Sequence, residues 1–497
     1  MANERFDRRE LLARLSAATA LTFIPVEELL GAAGGGLPTA AVRRLDAAVR
    51  GEVAVPGRPS YRSARRVFQL AIGTRRPLAV VYVRDTADAQ ALVAWAARED
   101  VALVARSGGH SYIGQSGGTD AVVADLSRLR TVSLDRGAGE VEVGGGTQLI
   151  DLTRALSAAG ALVPAGSCPS VGVGGLALGG GIGLSGRELG LTCDRLVAAT
   201  IVTADGRRRR VDTRSDPSLF WALRGGGGSF GIVTSLRFRV QRVTRGAYAV
   251  MSCPWAQADD MLAAWQRLAV DAPRALMPIL SLSAGSPPTV RVIAQHLGAE
   301  AELRRLIAPL ARIDGARLSA GVNDLLGLAR RWAGCLDGPL AACHTRGTRP
   351  GGMLDRAAFA ASSIYLRRGL NAGGRRALLG RIASRTGSGT VILDAYGGAI
   401  NAVRPDATAF PHRDVLGSVQ ILSYHAPGAA AGPRAWVANT RATLARQGAD
   451  GAYANYADRS LRDWREQYYG SNVDRLREVK RQVDPERRFR FAQAAGT

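Results

Sequence analysis

Two glycine-rich turns constrain this chain most: Arg106-Ser107-Gly108-Gly109-His110-Ser111-Tyr112 and Gly166-Ser167-Cys168-Pro169-Ser170-Val171-Gly172. Glycine accepts positive φ and carries no side chain, so such turns let the backbone pass close to a flat ligand. The chain has 60 glycines, and the excess clusters between positions 108 and 231. That clustering is turn chemistry rather than low complexity. Each of the two turns also carries one nucleophile, a histidine in the first and a cysteine in the second. A lone loop cysteine is usually a small buried hydrophobe; two nucleophiles in paired glycine settings point to a bound group instead.

Strand and helix patterns alternate around these turns. Leu78 to Val83 and Val101 to Val104 are short apolar strands, separated by helical spacing over Thr86 to Glu99. Further strands are expected at Ala121 to Leu126, Thr131 to Asp135 and Gly139 to Val143, and a helix over Gln148 to Ala159. A hairpin around Ala204-Asp205-Gly206 joins Leu196 to Thr203 with Arg208 to Asp212. Two strands, Phe230 to Thr234 and Leu236 to Arg239, close this region. Helices are expected over Leu461 to Tyr469 and Val473 to Val483. The mixture predicts an α+β fold with glycine turns at strand ends. The match of Gly181-Ile182-Gly183-Leu184-Ser185-Gly186 to G-x-G-x-x-G follows no clear strand and fits no βαβ unit, so a Rossmann NAD site is rejected.

The two turns, together with Leu178 to Gly183, Gly190 to Asp194, Leu219 to Gly227, Asp406 to Arg413, Tyr453-Ala454-Asn455-Tyr456 and Tyr468 to Asn472, resemble the berberine-bridge-enzyme-like FAD-linked oxidases. That family shares the vanillyl-alcohol-oxidase fold. The resemblance implies a PCMH-type FAD-binding domain of two subdomains plus an α+β substrate-binding domain with an antiparallel sheet and helices. The expected division is 38–243 for the FAD domain, 244–448 for the substrate domain, and 449–497 returning to the FAD domain.

The resemblance also implies FAD held by two covalent bonds, His110 to the 8α-methyl carbon and Cys168 to C6 of the isoalloxazine ring. Arg106, Ser107, Gly108, Gly109, Ser111, Val171, Gly172, Gly174, Gly175, Gly179, Gly180, Gly183, Gly231, Ile232, Val233 and Asn455 are the expected cofactor-binding residues. A flavin takes hydride, but an alcohol must also lose its hydroxyl proton, which calls for a positioned base. Family position points to Tyr453, helped by Asn455, with Tyr396 and Ser423-Tyr424 as further pocket residues. Some relatives carry glutamine where Ser423 aligns. A tyrosine base needs its pKa lowered from about 10. His412 is expected to be structural. Val171, three residues after Cys168, implies an oxidase that reduces dioxygen to hydrogen peroxide. The expected substrate is a small-molecule alcohol or carbohydrate; ring-closing or desaturating C–H oxidation and a dehydrogenase with another acceptor are the alternatives.

The formal charge of +23 does not point to nucleic acid, because Lys480 is the sole lysine and the arginines are scattered. Five cysteines exclude a full disulfide framework, although Cys335 and Cys343 are close enough to pair. No metal-ligand spacing is present. Residues 1–37 hold Arg8-Arg9, an apolar run from Leu15 to Ile24 and small residues after Leu30, which predict a twin-arginine export leader. The apolar run is too short to span a bilayer. Glu27-Glu28 supports the alternative, an ordinary amphipathic helix on a cytoplasmic protein.

Overall fold

The computed structural model describes residues 36–73 and 75–497. The expected leader, apart from its last two residues, lies outside them. The described residues fold as α+β around three large sheets that carry distinct cores, with a fourth, two-stranded sheet formed by Ala161–Leu162 and Gln241–Arg242.

The first sheet has the order Val53–Ala54, Ala79–Tyr82, Ala121–Asp125, Ala102–Arg106. Its last three strands are parallel, and Ala121–Asp125 is buried at every residue, as expected for a strand covered on both faces. The helix Thr86–Arg98 packs against it, capped by the Asp85 carboxylate, which accepts from the Asp88 N–H at 2.9 Å. Ala102–Arg106 delivers the His110 turn directly from its end.

The second sheet is antiparallel, in the order Val132–Asp135, Glu140–Gly144, Ile232–Arg239, Leu196–Val202, Arg208–Asp212. The sequence suggests two strands after Phe230, but one runs unbroken from Ile232 to Arg239. Its pairing shifts register between Val233 and Ser235. A bulge of this kind bends a strand without ending it, which imitates a break in the hydrophobic pattern.

The third sheet has seven antiparallel strands: Arg317–Asp324, Arg245–Cys253, Thr289–His296, Leu276–Ser283, Thr390–Ala395, Gly417–Tyr424 and Phe359–Leu366. Four helices, Ala258–Asp271, Glu300–Ala311, Ala372–Ala383 and Ala431–Ala445, share one apolar core with one of its faces. Alternation along the strands therefore decides what the other face presents. Leu280, Leu282, Val391, Leu393, Val419 and Ile421 point into the helix layer. Ile279, Ile392, Asp394, Gln420, Leu422 and Phe359 point the opposite way, towards the glycine turns.

The C-terminal segment packs back on the first two sheets. Leu476 and Val479 of the helix Val473–Val483 join the core of the second sheet, and Phe489 bridges to Leu103 beside the first. The helix expected from Leu461 begins only at Trp464. Asp458 accepts from both Ser460 N–H and Ser460 Oγ, and this turn occupies the preceding residues. Among the described residues no helix is long and apolar enough to cross a membrane. Cys335 and Cys343 form a disulfide.

Candidate active site

A cavity of about 490 Å³ lies between the glycine turns and the open face of the seven-stranded sheet. Both turns meet there in backbone contact. A Cβ added at Gly172 would lie 2.3 Å from the Gly108 nitrogen and 2.1 Å from Ser107 Oγ, so only glycine permits this approach. Ser107 Oγ donates to the Gly145 carbonyl at 2.6 Å, and Arg106 pairs with Asp125 at 2.6 Å while also reaching the Ala64 carbonyl. These bonds hold the first turn to the end of its strand.

His110 and Cys168 both line the cavity. His110 stacks on Phe68 with ring centroids 4.2 Å apart, and its Nε2 is 3.0 Å from Ser170 Oγ. Burial lowers its pKa to about 4, leaving a neutral imidazole. Burial pushes the Cys168 thiol up, with Ser170 pulling in the opposite direction.

Most of the residues expected from the sequence face this cavity: Ser107, Gly108, Gly109, Ser111, Val171, Gly172, Gly174, Gly175, Gly179, Gly183, Gly231, Val233, Tyr453 and Asn455. Four do not. The Arg106 guanidinium is buried against Asp125. Strand alternation turns Ile232 into the core of the first sheet, away from Val233. Gly180 is directed at Phe410 and Tyr453. Tyr396 is fully buried against Tyr365, at a centroid distance of 5.6 Å. Ser423 is also turned away, donating to the Ser388 carbonyl at 2.6 Å, while its neighbours Leu422 and Tyr424 line the cavity. His412 is structural in its contacts: it stacks on Tyr365 and its ring reaches the Tyr468 carbonyl at 3.1 Å.

Tyr453 Oη accepts from the Gly181 N–H at 2.7 Å and from Asn455 Nδ2 at 2.9 Å. Asn455 Nδ2 is itself held by the Leu176 carbonyl at 3.0 Å. Burial nevertheless raises the phenol above its ordinary pKa, with the Gly181 and Asn455 bonds opposing that rise. The lowered value anticipated from the sequence is therefore absent from the protein alone; what the fold provides is a pair of donors to the oxygen.

On the sheet side of the cavity, Asp394 and Gln420 were not anticipated from the sequence. Asp394 is buried on the cavity face, its Oδ2 has no hydrogen-bond partner among the described residues, and burial pushes its carboxyl up to about 7. Gln420 stands beside it, paired across the sheet with Ile392, and donates to Tyr112 Oη. The only sequence signal for either is a polar residue at the minority phase of an alternating apolar strand. Phe491, Gln493 and Ala495 of the tail close another wall.

The cavity suits a flat cofactor bound against bare backbone. A Cβ added at Gly175 would meet nothing within 4 Å, and at Gly227 the nearest atom is 4.0 Å away. The comparisons say which cofactor. A family model described as FAD binding domain matches residues 77–212, which include both nucleophile turns. The protein is an FAD-linked oxidoreductase.

A second model, described as berberine and berberine like, matches residues 452–495. The chain is 30% identical to the FAD-linked oxidoreductase YgaK of Bacillus subtilis over 89% of this chain and 96% of that one. It is 29% identical to a chitooligosaccharide oxidase of Gibberella zeae, over 84% and 87% of the two chains. The structure of BBE-like 1 from Physcomitrella patens superposes with a TM-score of 0.84 at 28% identity, covering 92% of this chain and 99% of that one. The chain belongs to the berberine-bridge-enzyme-like family of FAD-linked oxidases.

Proposed function

We propose that this protein oxidises the hydroxyl of a small-molecule alcohol, a carbohydrate or a secondary metabolite, with FAD attached through His110 and Cys168. The observation that carries the reading is the Tyr453 oxygen on the cavity wall, which accepts two hydrogen bonds. FAD, held by the glycine turns around His110 and Cys168, would supply the hydride acceptor, with dioxygen as the final electron acceptor and hydrogen peroxide as the product.

The protein's own residues handle the proton. Donors from Gly181 and Asn455 fill both acceptor positions of the Tyr453 oxygen, so a phenolate there is met by two N–H groups already in place. Tyr453 is the base that takes the substrate hydroxyl proton. Asp394 and Gln420 face the same cavity and offer the substrate a carboxyl and a carboxamide. Val171, whose side chain lines the cavity beside Cys168, supports oxidase rather than dehydrogenase behaviour. The name of the chitooligosaccharide oxidase supports a sugar hydroxyl as one substrate class.

The test is a spectrum of the purified protein before and after acid precipitation, followed by anaerobic mixing with a panel of sugar and non-sugar alcohols. Colour retained in the pellet and bleaching by an alcohol, with peroxide released on readmitting air, are the expected results. Colour washed into the supernatant defeats the covalent attachment, and a flavin no alcohol bleaches defeats the activity.

Export through the twin-arginine pathway is part of the proposal. The Cys335–Cys343 disulfide supports it, because such bonds persist in oxidising compartments. Fractionation of expressing cells tests it: protein confined to the cytoplasm with residues 1–37 intact overturns it.

A further inference from the structure

One hydroxyl stands between the two nucleophiles. Ser170 is buried, with its Oγ 3.0 Å from His110 Nε2 and 4.0 Å from Cys168 Sγ. Among the described residues no other side chain hydrogen-bonds to either nucleophile. A serine hydroxyl has one proton to give and lone pairs to accept with, while a neutral imidazole carries its proton on one nitrogen and its lone pair on the other. If His110 Nε2–H donates to Ser170 Oγ, the His110 lone pair resides on Nδ1. The serine proton is then free to be donated to sulfur. Phe68 covers one face of the imidazole, and the Phe68 N–H donates to the Gly109 carbonyl at 3.0 Å, so the ring is fixed, and among the described residues its Nδ1 has no hydrogen-bond partner.

We propose that Ser170 is the positioning residue for both covalent attachments of the flavin: it accepts from His110 Nε2, which makes Nδ1 the nucleophilic nitrogen, and donates to Cys168 Sγ, which holds the sulfur as thiolate. The inference rests on the covalent reading above. Each attachment replaces a C–H bond of the cofactor, by C–N at His110 or C–S at Cys168. At His110 one proton leaves carbon and one leaves the imidazole; at Cys168 the thiol proton leaves when the thiolate forms and a second leaves carbon. Each attachment also releases two electrons, which dioxygen takes up with two protons as hydrogen peroxide. Thiolate rather than thiol is the nucleophilic form of cysteine, so a donor to sulfur matters where burial favours the neutral thiol.

The test compares wild type with Ser170→Ala and Ser170→Thr, each purified with FAD at neutral pH. Acid precipitation gives total covalent flavin, and mass spectrometry of the His110 and Cys168 peptides gives each linkage separately. Ser170→Ala is expected to bind FAD while both linkages fall at least about 10-fold; Ser170→Thr, which keeps the hydroxyl, retains them. Raising the pH to about 9.5 during FAD loading is expected to restore the cysteinyl linkage of Ser170→Ala but not the histidyl one, since alkali makes thiolate without selecting a tautomer. Full attachment of both linkages in Ser170→Ala overturns the proposal, and so does loss of only one. A cysteinyl yield unmoved by pH overturns the bond to sulfur. A wild type lacking both linkages defeats the covalent reading itself, and Ser170 falls with it.

Discussion

Gly181 and Asn455 both donate to one oxygen, the Tyr453 hydroxyl, at 2.7 and 2.9 Å. The first donor is backbone and the second is a side chain two residues from the phenol, so the arrangement is set by two segments remote in sequence. A neutral phenol needs only one such partner; two are suited to an oxygen that carries charge during turnover.

Removing that oxygen separates proton transfer from cofactor binding. Tyr453→Phe is expected to slow flavin reduction by an alcohol about 10²- to 10⁴-fold, the usual worth of a positioned base. Its flavin content should stay at the wild-type level. Stopped-flow absorbance under anaerobic conditions measures the rate, and a rate within threefold of wild type removes Tyr453 from the base role.

Contact between the two turns gives a steric prediction. The Cβ of Gly172→Ala would overlap Ser107 Oγ and the Gly108 nitrogen, and backbone cannot step aside as a flexible side chain can. A cost of about 1–3 kcal/mol is expected, as for other overpacked sites. The turns should also part enough to lower FAD retention. Denaturant titration and flavin-to-protein absorbance ratios report the two effects.

Asp394 should imprint a pH dependence on the cofactor-free protein. Its carboxyl titrates near pH 7 when folded, against about 3.9 for a free aspartate. Between those values the folded chain holds a proton that the unfolded chain has released, so stability falls as pH rises through that window and levels off above it. The whole drop is about 4 kcal/mol from the two values. Asp394→Asn should flatten the profile. Thermal denaturation of both proteins from pH 4 to 8 is the measurement, and equal slopes would assign the effect elsewhere.

Lys480 illustrates a position where arginine will not serve. Its ammonium bonds the Ser229 carbonyl, Asp484 Oδ2 at 2.6 Å and the Phe489 carbonyl at 2.7 Å, all buried. Three acceptors around a point charge suit an ammonium rather than a planar fork. Lys480→Ala leaves Asp484 buried without its cation and should cost about 3–5 kcal/mol. Because Ser229 adjoins the glycine segment at the cavity and Phe489 begins the tail that walls it, FAD loss should accompany the instability. Retention of full FAD content after the loss of stability would show that the two are uncoupled.

The His110 and Cys168 turns, the Tyr453-Ala454-Asn455-Tyr456 segment and the α+β alternation were legible because their signals are local: glycines at tight turns, nucleophiles within them, apolar periods of two and 3.6 residues. Element boundaries were legible except where a local device intervened, as with the bulge in Ile232–Arg239 and the Asp458 turn before Trp464. Asp394 and Gln420 were not legible. Each sits in a strand that carries apolar residues on both faces, and only the pairing of Thr390–Ala395 with Gly417–Tyr424, backed by the helix layer, decides which face meets the turns. Alternation in its own strand turns Ile232 away from the cavity, whereas Tyr396, on the same side of the sheet as Asp394, is covered by Tyr365. Sequence determines which residues can perform the chemistry and where the chain must bend. Tertiary structure alone decides which of them share the cavity, because the face a side chain presents depends on register and packing between strands far apart in the chain.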